Sequence, residues 1–269
     1  MKYKKLITDI SNWIKNYCND SNMSSLVIGI SGGVDSAVVS SLCAITEIKT
    51  IVVSIPIRQI TSQNTLSIEH GRWLSEKYKN VKHEIFDMTK VFSNIENTFD
   101  KSDYNNLHSF ANTRSRLRML ALYQIAGSQN GLVVGTGNKV EDFGVGFYTK
   151  YGDGGVDISP IGDCMKSDVW EIAKELKINK KIITASPTDG LWDDGRTDED
   201  QLKGLTYKEL EEAMILSKSI DEETKHNMGY WGSSVRVQKN QENILQIYHS
   251  IRKQNLHKMK EIPIFKINE

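Results

Sequence analysis

The sequence has little of what marks several large classes of protein. Its 269 residues include only three cysteines, Cys18, Cys43 and Cys164, and no Cys-x-x-Cys pair, so neither a disulfide framework nor a zinc site is indicated. Basic and acidic residues number 34 each, and this zero net charge argues against a nucleic-acid partner. There is no apolar run of membrane-spanning length and no signal-peptide core. We therefore expect a cytoplasmic protein with no membrane partner and with cysteines that are buried small hydrophobic residues.

Apolar runs and helical patterns alternate along the first half of the chain. The apolar runs predict strands at residues 26–30, 50–55, 83–86 and 131–135. The helical patterns predict helices at residues 6–17, 37–45, 61–78, 112–128, 168–176, 206–217 and 236–256. This alternation predicts an α/β fold, an open parallel β-sheet with helices on both faces as in Rossmann-like proteins. The length fits a single domain, 1–269, in which the glycine-rich stretch 136–165 is interpreted as loop.

A glycine-containing loop follows the first predicted strand, with the sequence Gly29-Ile30-Ser31-Gly32-Gly33-Val34-Asp35-Ser36. Ligands of open α/β sheets bind at the carboxyl ends of the strands, and glycines let backbone amides approach a phosphate there. The loop has neither the lysine of a Walker motif nor a G-x-G-x-x-G pattern. Asp35 would repel a bare phosphate, and Mg²⁺ between them removes the conflict. The loop thus predicts a pyrophosphate site and cleavage of ATP to AMP and pyrophosphate.

Further motifs lie in the second half of the chain. They are Arg116-Leu117-Arg118-Met119, Gly135-Thr136-Gly137-Asn138-Lys139-Val140-Glu141, Phe147-Tyr148-Thr149-Lys150, Tyr151-Gly152-Asp153-Gly154-Gly155-Val156-Asp157, Ser159-Pro160-Ile161, Lys166, Ser186-Pro187-Thr188 and His257-Lys258-Met259. With the glycine loop, these motifs resemble the NAD synthetase family of N-type ATP pyrophosphatases. The resemblance runs in order from about residue 5 to about residue 265. It implies a fold of the adenine nucleotide α-hydrolase type.

The resemblance also implies a reaction. The nicotinate carboxylate of deamido-NAD attacks ATP, pyrophosphate leaves, and ammonia converts the acyl-adenylate to NAD with release of AMP. Glutamine-dependent members carry an amidase domain before the synthetase part, and the position of Ser31 leaves no room for one. Free ammonia is therefore the expected donor, unless a separate subunit delivers it. Members are homodimers with the deamido-NAD site at the interface, for which helix 112–128 is the expected element.

Roles of individual residues follow from the same resemblance. The implied magnesium ligands are Asp35 and Glu141. The implied ATP contacts besides the glycine loop are Thr136, Lys166 and Thr188. The implied deamido-NAD contacts are Arg116, Lys150, Asp157, His257 and Lys258. Without the resemblance, the two threonines would be interpreted as caps, Glu141 as a solvated side chain, and the pair 257–258 as a frayed basic terminus.

Two residues are expected to act in catalysis. Lys166 can follow the leaving pyrophosphate as a mobile point charge. Asp153, between two glycines, either positions ammonia and accepts its proton or only satisfies loop amides, and the residues favour neither. We also expect the acidic stretch 186–204, here called the lid segment, to close over the site, and Arg114 to lie on a solvated face. The tail at 262–265 is expected to pack.

Three other functions are compared with the same sequence features. A GMP-synthetase-like amidating enzyme is the first alternative, against which the Tyr-Gly-Asp-Gly-Gly motif and the His-Lys pair argue. A nucleic-acid modifier would need a basic surface, and a non-catalytic nucleotide-binding module would not need Asp35, Glu141 and Lys166 together. The sequence departs from many members at 137–139 and in the long segment 219–246, for which we have no functional interpretation.

Overall fold

A computed structural model describes residues 1–58, 61–226 and 239–267 of the chain. Its parallel sheet consists of β1 (Ser25–Gly29), β2 (Lys49–Ser54), β3 (Val81–Ile85) and β4 (Gly131–Val133). The α-helices are α1 (Lys2–Asp20), α2 (Val34–Ile45), α3 (Thr61–Lys77), α4 (Thr89–Phe99), α5 (Leu107–Ser128), α6 (Lys166–Glu175), α7 (Lys180–Ile183), α8 (Asp198–Gln201), α9 (Tyr207–His226) and α10 (Lys239–Met259). A π-helix covers Lys139–Val145. The predicted α/β class with a parallel sheet is confirmed.

The strand order creates a crevice at one edge of the sheet. The order is β3-β2-β1-β4, so the chain first builds outward from β1 and then returns to pair β4 on its other side. Leu26 pairs with Leu132 and Val27 with Val133 in parallel register. Ligands bind where the strand order reverses, beyond the carboxyl ends of the strands. The segments that follow β1 and β4 are therefore the ones that the topology places around a ligand.

Helices cover both faces of the sheet, as the alternation of side chains along β1 shows. Leu26 and Ile28 are fully buried in a cluster with α1, α2 and α6. Val27, between them, packs on the opposite face against Ala121 and Ala126 of α5. Successive side chains of a strand point to opposite faces, so a continuous apolar run is what a strand buried on both sides requires.

A second hydrophobic cluster lies beside the sheet. Residues of the π-helix, α9 and α10 form it, among them Val140, Leu210 and Ile251, together with Leu202 and Leu205 from the segment before α9. The cluster anchors one end of the lid segment next to the sheet edge. The predicted last helix, 236–256, overlaps α10, which continues to Met259. Positions 236–238 and residues Gly229, Trp231 and Gly232 lie outside the described residues.

The stretch 136–165, predicted to be loop, contains the π-helix in its first part. Asn138 caps this helix, since its side-chain oxygen accepts hydrogen bonds from the amides of Val140 and Glu141. The tail was expected to pack, and this is wrong, since Ile264 and Phe265 are 72% and 89% exposed. All three cysteines are free and buried, as expected. In the described part of the chain, no helix is long and apolar enough to cross a membrane.

Candidate active site

The glycine loop leaves β1 and enters α2 in a conformation that its own side chains hold. Gly32 has φ of +92°, a conformation that favours glycine. Ser36 Oγ accepts from the amide of Ser31 at 3.2 Å and donates to the carbonyl of Gly33 at 3.0 Å. The amide of Gly33 donates to Ser31 Oγ at 3.2 Å. The loop thus lies at the N-terminus of α2, where amides and the helix dipole favour an anion.

A buried ammonium group lies beside this loop between two carboxylates. Lys166, the first residue of α6, is 2% exposed, and its Nζ donates to Asp35 Oδ2 at 2.7 Å and to Glu141 Oε1 at 2.8 Å. Asn138 Nδ2 donates to Asp35 Oδ1 at 2.9 Å. Residues from α2, the π-helix and α6 therefore meet at one point, and the expected metal ligands and the expected mobile lysine are neighbours.

The charges of this group depend on each other. Burial alone would lower the pKa of Lys166, but the carboxylates of Asp35 and Glu141 outweigh it and raise that pKa above its ordinary value. Burial raises the pKa of Glu141, and the ammonium of Lys166 opposes this shift. Removal of Lys166 would leave two carboxylates in a poorly solvated position without their cation.

A cavity of about 260 Å³ opens in front of these groups. Of the residues implicated by sequence, its lining includes residues 29–36, Thr136, Glu141, Asp153, Lys166 and Thr188. The cavity also meets Val53, Ile55, Leu122 and Val156, which give one wall an apolar surface. A concave, largely apolar pocket with a few converging polar groups is the usual form of a small-molecule site.

The five residues implicated in deamido-NAD binding lie outside this cavity lining. Four of them come from α5, from the loop after the π-helix and from the end of α10, and hydrogen bonds connect these segments. Arg116 Nε donates to the carbonyl of Lys150 at 3.4 Å, and Lys150 Nζ donates to the carbonyl of His257 at 3.4 Å. Lys258 Nζ donates to the carbonyl of Tyr148 at 2.7 Å. They form a basic surface adjoining the site.

Asp157, the fifth residue, is placed apart from the other four. Its carboxylate accepts from the amide of Val133 at 2.7 Å and from the hydroxyl of Tyr123 at 3.0 Å. One of these bonds extends the end of β4, and the other ties the loop to α5. Asp157 therefore helps to hold the sheet edge, although the residue as a whole is exposed.

Asp153 lines the cavity and is held by its loop. Its Oδ1 accepts from Ser115 Oγ at 2.6 Å and from the amide of Thr149 at 2.9 Å, and its own amide donates to Ser115 Oγ at 2.8 Å. The expectation that Asp153 satisfies loop amides is thus met by one of its oxygens. Both of these bonds to the carboxylate use Oδ1, so Oδ2 can accept a hydrogen bond from a ligand.

The lid segment forms hydrogen bonds with α5 and also within itself. Arg114 was expected on a solvated face, and this is wrong, because it is 5% exposed. Its guanidinium donates to the carbonyl of Leu191 at 3.0 Å and to Asp193 Oδ2 at 2.9 Å. Thr188 lines the cavity, and its hydroxyl donates to the carbonyl of Arg196 at 3.1 Å, inside the lid segment itself.

Two polar residues beside the charged group, Asn138 and Tyr207, have no role that the sequence predicts. Asn138 orients Asp35 and lies in the motif after β4, where this sequence differs from many family members. Tyr207 is 4% exposed, and its hydroxyl lies 2.6 Å from Glu141 Oε1 and 2.7 Å from Asp198 Oδ2. Its position at the start of a predicted helix resembles any apolar helix residue, so the sequence carries no signal for these contacts.

Comparison with known proteins identifies the family to which this geometry belongs. The model of the NAD synthase family matches residues 6–261. The chain belongs to the NAD synthase family. The predicted family is thereby confirmed, and with it the prediction of a ligase of NAD biosynthesis.

Relatives within the NAD synthase family cover most of the chain. The NH(3)-dependent NAD(+) synthetase of Carboxydothermus hydrogenoformans is 36% identical over 225 residues, which are 82% of this chain and 87% of the relative. That of Archaeoglobus fulgidus is 37% identical over 220 residues, 80% and 85% of the two chains. Among solved structures, the NMN synthetase from Francisella tularensis is 28% identical, with a TM-score of 0.83 over 99% of this chain and 100% of that one. The NH3-dependent NAD synthetase from Campylobacter jejuni shares the fold, with 23% identity, a TM-score of 0.74 and coverage of 99% and 100%.

Proposed function

We propose that the chain amidates deamido-NAD to NAD with ATP and ammonia, through an acyl-adenylate, and releases AMP and pyrophosphate. The observation that carries the proposal is the convergence of Lys166, Asp35 and Glu141 beside the glycine loop at the sheet edge. A carboxylate is a poor electrophile, and adenylation gives it a good leaving group. The names of the curated relatives, NH(3)-dependent NAD(+) synthetases, support the substrates and the nitrogen donor.

Different residues act in the first step, in which the substrate is adenylated and pyrophosphate leaves. The glycine loop offers backbone amides to the phosphates that leave as pyrophosphate. Lys166, freed from one carboxylate, neutralises charge that develops on the leaving group, as a compact and flexible ammonium can. Thr136 and Thr188 line the same cavity and orient the nucleotide there. The cavity thus holds ATP, and the carboxylate of the second substrate must approach from the basic surface beside it.

Magnesium fits the donor set of this site. Asp35 and Glu141 direct carboxylate oxygens at one point, since both lie within 2.8 Å of the same nitrogen. Mg²⁺ is usually bound by one or two carboxylates together with substrate phosphates and water. Among the described side chains, no group of three or more acidic, histidine or cysteine ligands could hold a metal ion. When bound, the ion supplies charge neutralisation at the phosphates.

The second substrate is assigned to the basic surface. Arg116, Lys150, His257 and Lys258 present cations and donors next to the cavity, and deamido-NAD is an anionic dinucleotide. Asp157 lies apart from this surface, beyond the end of β4, and its carboxylate can accept hydrogen bonds from donors of the same substrate. Since Arg116 is exposed on α5, we propose that a second copy covers it, with the exposed Leu120 of α5 (57% exposed) in a homodimer interface. The cytoplasmic location expected from the sequence stays a prediction.

A product assay tests the proposal. Purified protein is incubated with ATP, magnesium, deamido-NAD and ammonium, and AMP, pyrophosphate and NAD should appear in equal amounts. Formation of ADP would contradict the adenylation chemistry. Activity with xanthosine monophosphate and none with deamido-NAD would favour the GMP-synthetase-like alternative. Asp35→Asn serves as the inactive control, because it removes the charge of one proposed ligand and keeps the size of the side chain.

One observation favours a second candidate, the amidation of nicotinate mononucleotide to NMN. The NMN synthetase from Francisella tularensis aligns with full coverage and a TM-score of 0.83. Both reactions share the adenylation step and differ in whether the substrate carries an adenylate half. The two are separated by comparing kcat/KM for the mononucleotide and for deamido-NAD in the same preparation. A larger value for the mononucleotide would replace the first proposal.

A further inference from the structure

One phenol links the lid segment to the charged group of the site. Tyr207 is the first residue of α9, and its hydroxyl lies 2.6 Å from Glu141 Oε1 and 2.7 Å from Asp198 Oδ2. Glu141 belongs to the π-helix, whereas Asp198 is the first residue of α8, within the lid segment. Among the described contacts, no other side chain forms hydrogen bonds to both Glu141 and Asp198. Movement of the lid segment away from the site must therefore break a bond to Tyr207.

The ring of the same residue contacts the catalytic cation. Lys166 Nζ lies 4.4 Å from the centroid of the Tyr207 ring, within the range of a cation–π interaction. Trp170 of α6 packs edge-on against this ring, with centroids 6.2 Å apart. The ring is thereby fixed between Trp170 and the ammonium. A single side chain contacts Lys166 and Glu141, which we propose act on ATP, and also Asp198 of the lid segment.

Tyr207 acts through the hydrogen bonds of its hydroxyl. The phenol has a single proton, so it donates to one of the two carboxyl groups and accepts from the other, which must carry a proton of its own. Tyr207 does not line the cavity, so it does not touch a nucleotide there. Asp198 is 5% exposed, and its Oδ1 has no hydrogen-bond partner, so the phenol is the group that holds this carboxyl. An influence of Tyr207 on the reaction must pass through its neighbours.

We propose that Tyr207 is a positioning residue that couples docking of the lid segment, through Asp198, to the placement of Glu141 and Lys166. This coupling depends on the proposed function in one respect, namely that Glu141 and Lys166 act on ATP. When Asp198 docks, the phenol is held between the two carboxyl groups, and Glu141 keeps the orientation in which it meets Lys166. When the lid segment leaves, the phenol loses one partner and the restraint on Glu141 weakens.

The test uses Tyr207→Phe, which keeps the ring against Trp170 and Lys166 and removes only the hydroxyl. Hydrogen exchange of the backbone amides in 186–204, measured without substrate, should become at least about tenfold faster. With substrates, kcat should fall about ten- to a hundredfold, the range that a hydrogen bond to a charged group supports. KM for deamido-NAD should stay within about twofold of the wild-type value, because the basic surface is untouched.

The matched control is Tyr3→Phe. Tyr3 also donates from its phenol to a carboxylate, Asp168 Oδ1 at 3.1 Å, but that contact joins α1 to α6 away from the lid segment. This control should leave exchange in 186–204 and kcat at wild-type values. A change of the same size in both variants would show that any lost phenol produces the effect and would overturn the proposal.

A double-mutant cycle with Asp198→Ala distinguishes coupling from general destabilisation. If Tyr207 acts through Asp198, the two single variants expose the lid segment equally and the double variant adds nothing further. Additive effects, or unchanged exchange in Tyr207→Phe, would overturn the proposal. Should Tyr207→Phe fail to fold, Asp198→Ala gives the same comparison from the lid side. Exchange needs no substrate, so this result is independent of whether the wild-type protein forms NAD.

Discussion

Ser67 of α3 donates a hydrogen bond of 2.7 Å to the carbonyl of Ile30, the residue that immediately precedes the Ser31–Ser36 part of the glycine loop. The single proton of Ser67 is used in that bond, so Ser54 Oγ must donate to Ser67 Oγ at 2.7 Å, and His83 Nε2 must donate to Ser54 Oγ at 2.9 Å. A directed chain of hydrogen bonds therefore runs from β3 through β2 and α3 to the base of the loop. The loop is supported by residues that contact no ligand.

Replacement of Ser67 by alanine tests this support. The variant removes a donor to a carbonyl of a residue that is only 4% exposed, so the free energy of unfolding should fall by about 1–3 kcal/mol. KM for ATP should rise, because the loop loses a restraint. Chemical denaturation and steady-state kinetics measure the two effects. Ser75→Ala, on the exposed side of α3, is the control and should change stability by less than about 0.5 kcal/mol.

Replacement of Lys166 by methionine tests the charged group beside the loop. The variant keeps most of the volume and leaves Asp35 and Glu141 without their cation, which should destabilise the protein by about 3–5 kcal/mol and abolish activity. Since magnesium can replace the lost charge, magnesium chloride should raise Tm of the variant more than that of the wild-type protein. Calorimetry with and without the ion gives the comparison. Equal shifts in both proteins would contradict the assignment of Asp35 and Glu141 as ligands.

The first glycine of the Tyr-Gly-Asp-Gly-Gly motif, Gly152, has a packing role that a substitution can measure. A Cβ on Gly152 would collide with Ser115 Oγ and lie 2.9 Å from Thr149 Cβ, the two residues that hold Asp153. Gly152→Ala should therefore lower stability by about 1–3 kcal/mol and slow the reaction. Gly127→Ala is the control, because no atom lies within 4 Å of its added Cβ and alanine favours helix. That control should be neutral or more stable by up to about 1 kcal/mol, and a loss there would show that the difference does not come from packing.

Much of the fold could be predicted from the sequence because its signals are local. Buried parallel strands are short apolar runs, and each of the four predicted strands overlaps an observed one. The helix Thr89–Phe99 was missed although Phe92 is fully buried and Ile95 packs beside it, since the polar residues between them weaken the pattern. The π-helix was missed because the glycines around it, such as Gly144 and Gly146, are typical of loops.

Residues of the site could be predicted from the sequence only where they belong to a recognisable motif. The glycine loop and Lys166 are part of such motifs, and the structure places them together. The burial of Arg114 depends on Leu191 of the lid segment, 77 residues further along the chain, and Tyr207 is 66 residues from its partner Glu141. No periodicity in α5 or α9 encodes those partners, so they follow only from the folded chain.

A buried histidine makes stability depend on pH. His70 is 4% exposed, and its Nε2 donates to Ser40 Oγ at 3.0 Å, because the proton of Ser40 is used on the carbonyl of Ser36 at 2.7 Å. Burial lowers the pKa of His70 to about 4, from an ordinary value of 6.5. Between these values the unfolded chain binds a proton and the folded chain does not, so stability falls as the pH drops from about 6.5 to about 4.

The size of this loss is about 3 kcal/mol, at 1.36 kcal/mol for each unit of the pKa difference. His70→Gln keeps a nitrogen donor near the position of Nε2 and does not titrate in this range. Denaturation at several pH values should show a smaller fall for the variant than for the wild-type protein between pH 6.5 and 4. His108→Gln, the same replacement at an exposed histidine, is measured in parallel as the control. Parallel curves for wild type and His70→Gln would contradict the burial of a neutral imidazole.

Asp153→Asn separates the two roles that the sequence left open for this residue. Both donors on Oδ1, Ser115 Oγ and the amide of Thr149, can bond the carbonyl of an asparagine, so the loop is kept and only the charge is lost. Ser115→Ala makes the opposite change, because it loosens the loop and keeps the charge. If Asp153 positions ammonia or accepts its proton, Asp153→Asn should slow NAD formation more than pyrophosphate release in a single turnover. An equal loss in both steps, or the same pattern in Ser115→Ala, would leave Asp153 with its loop-holding role alone.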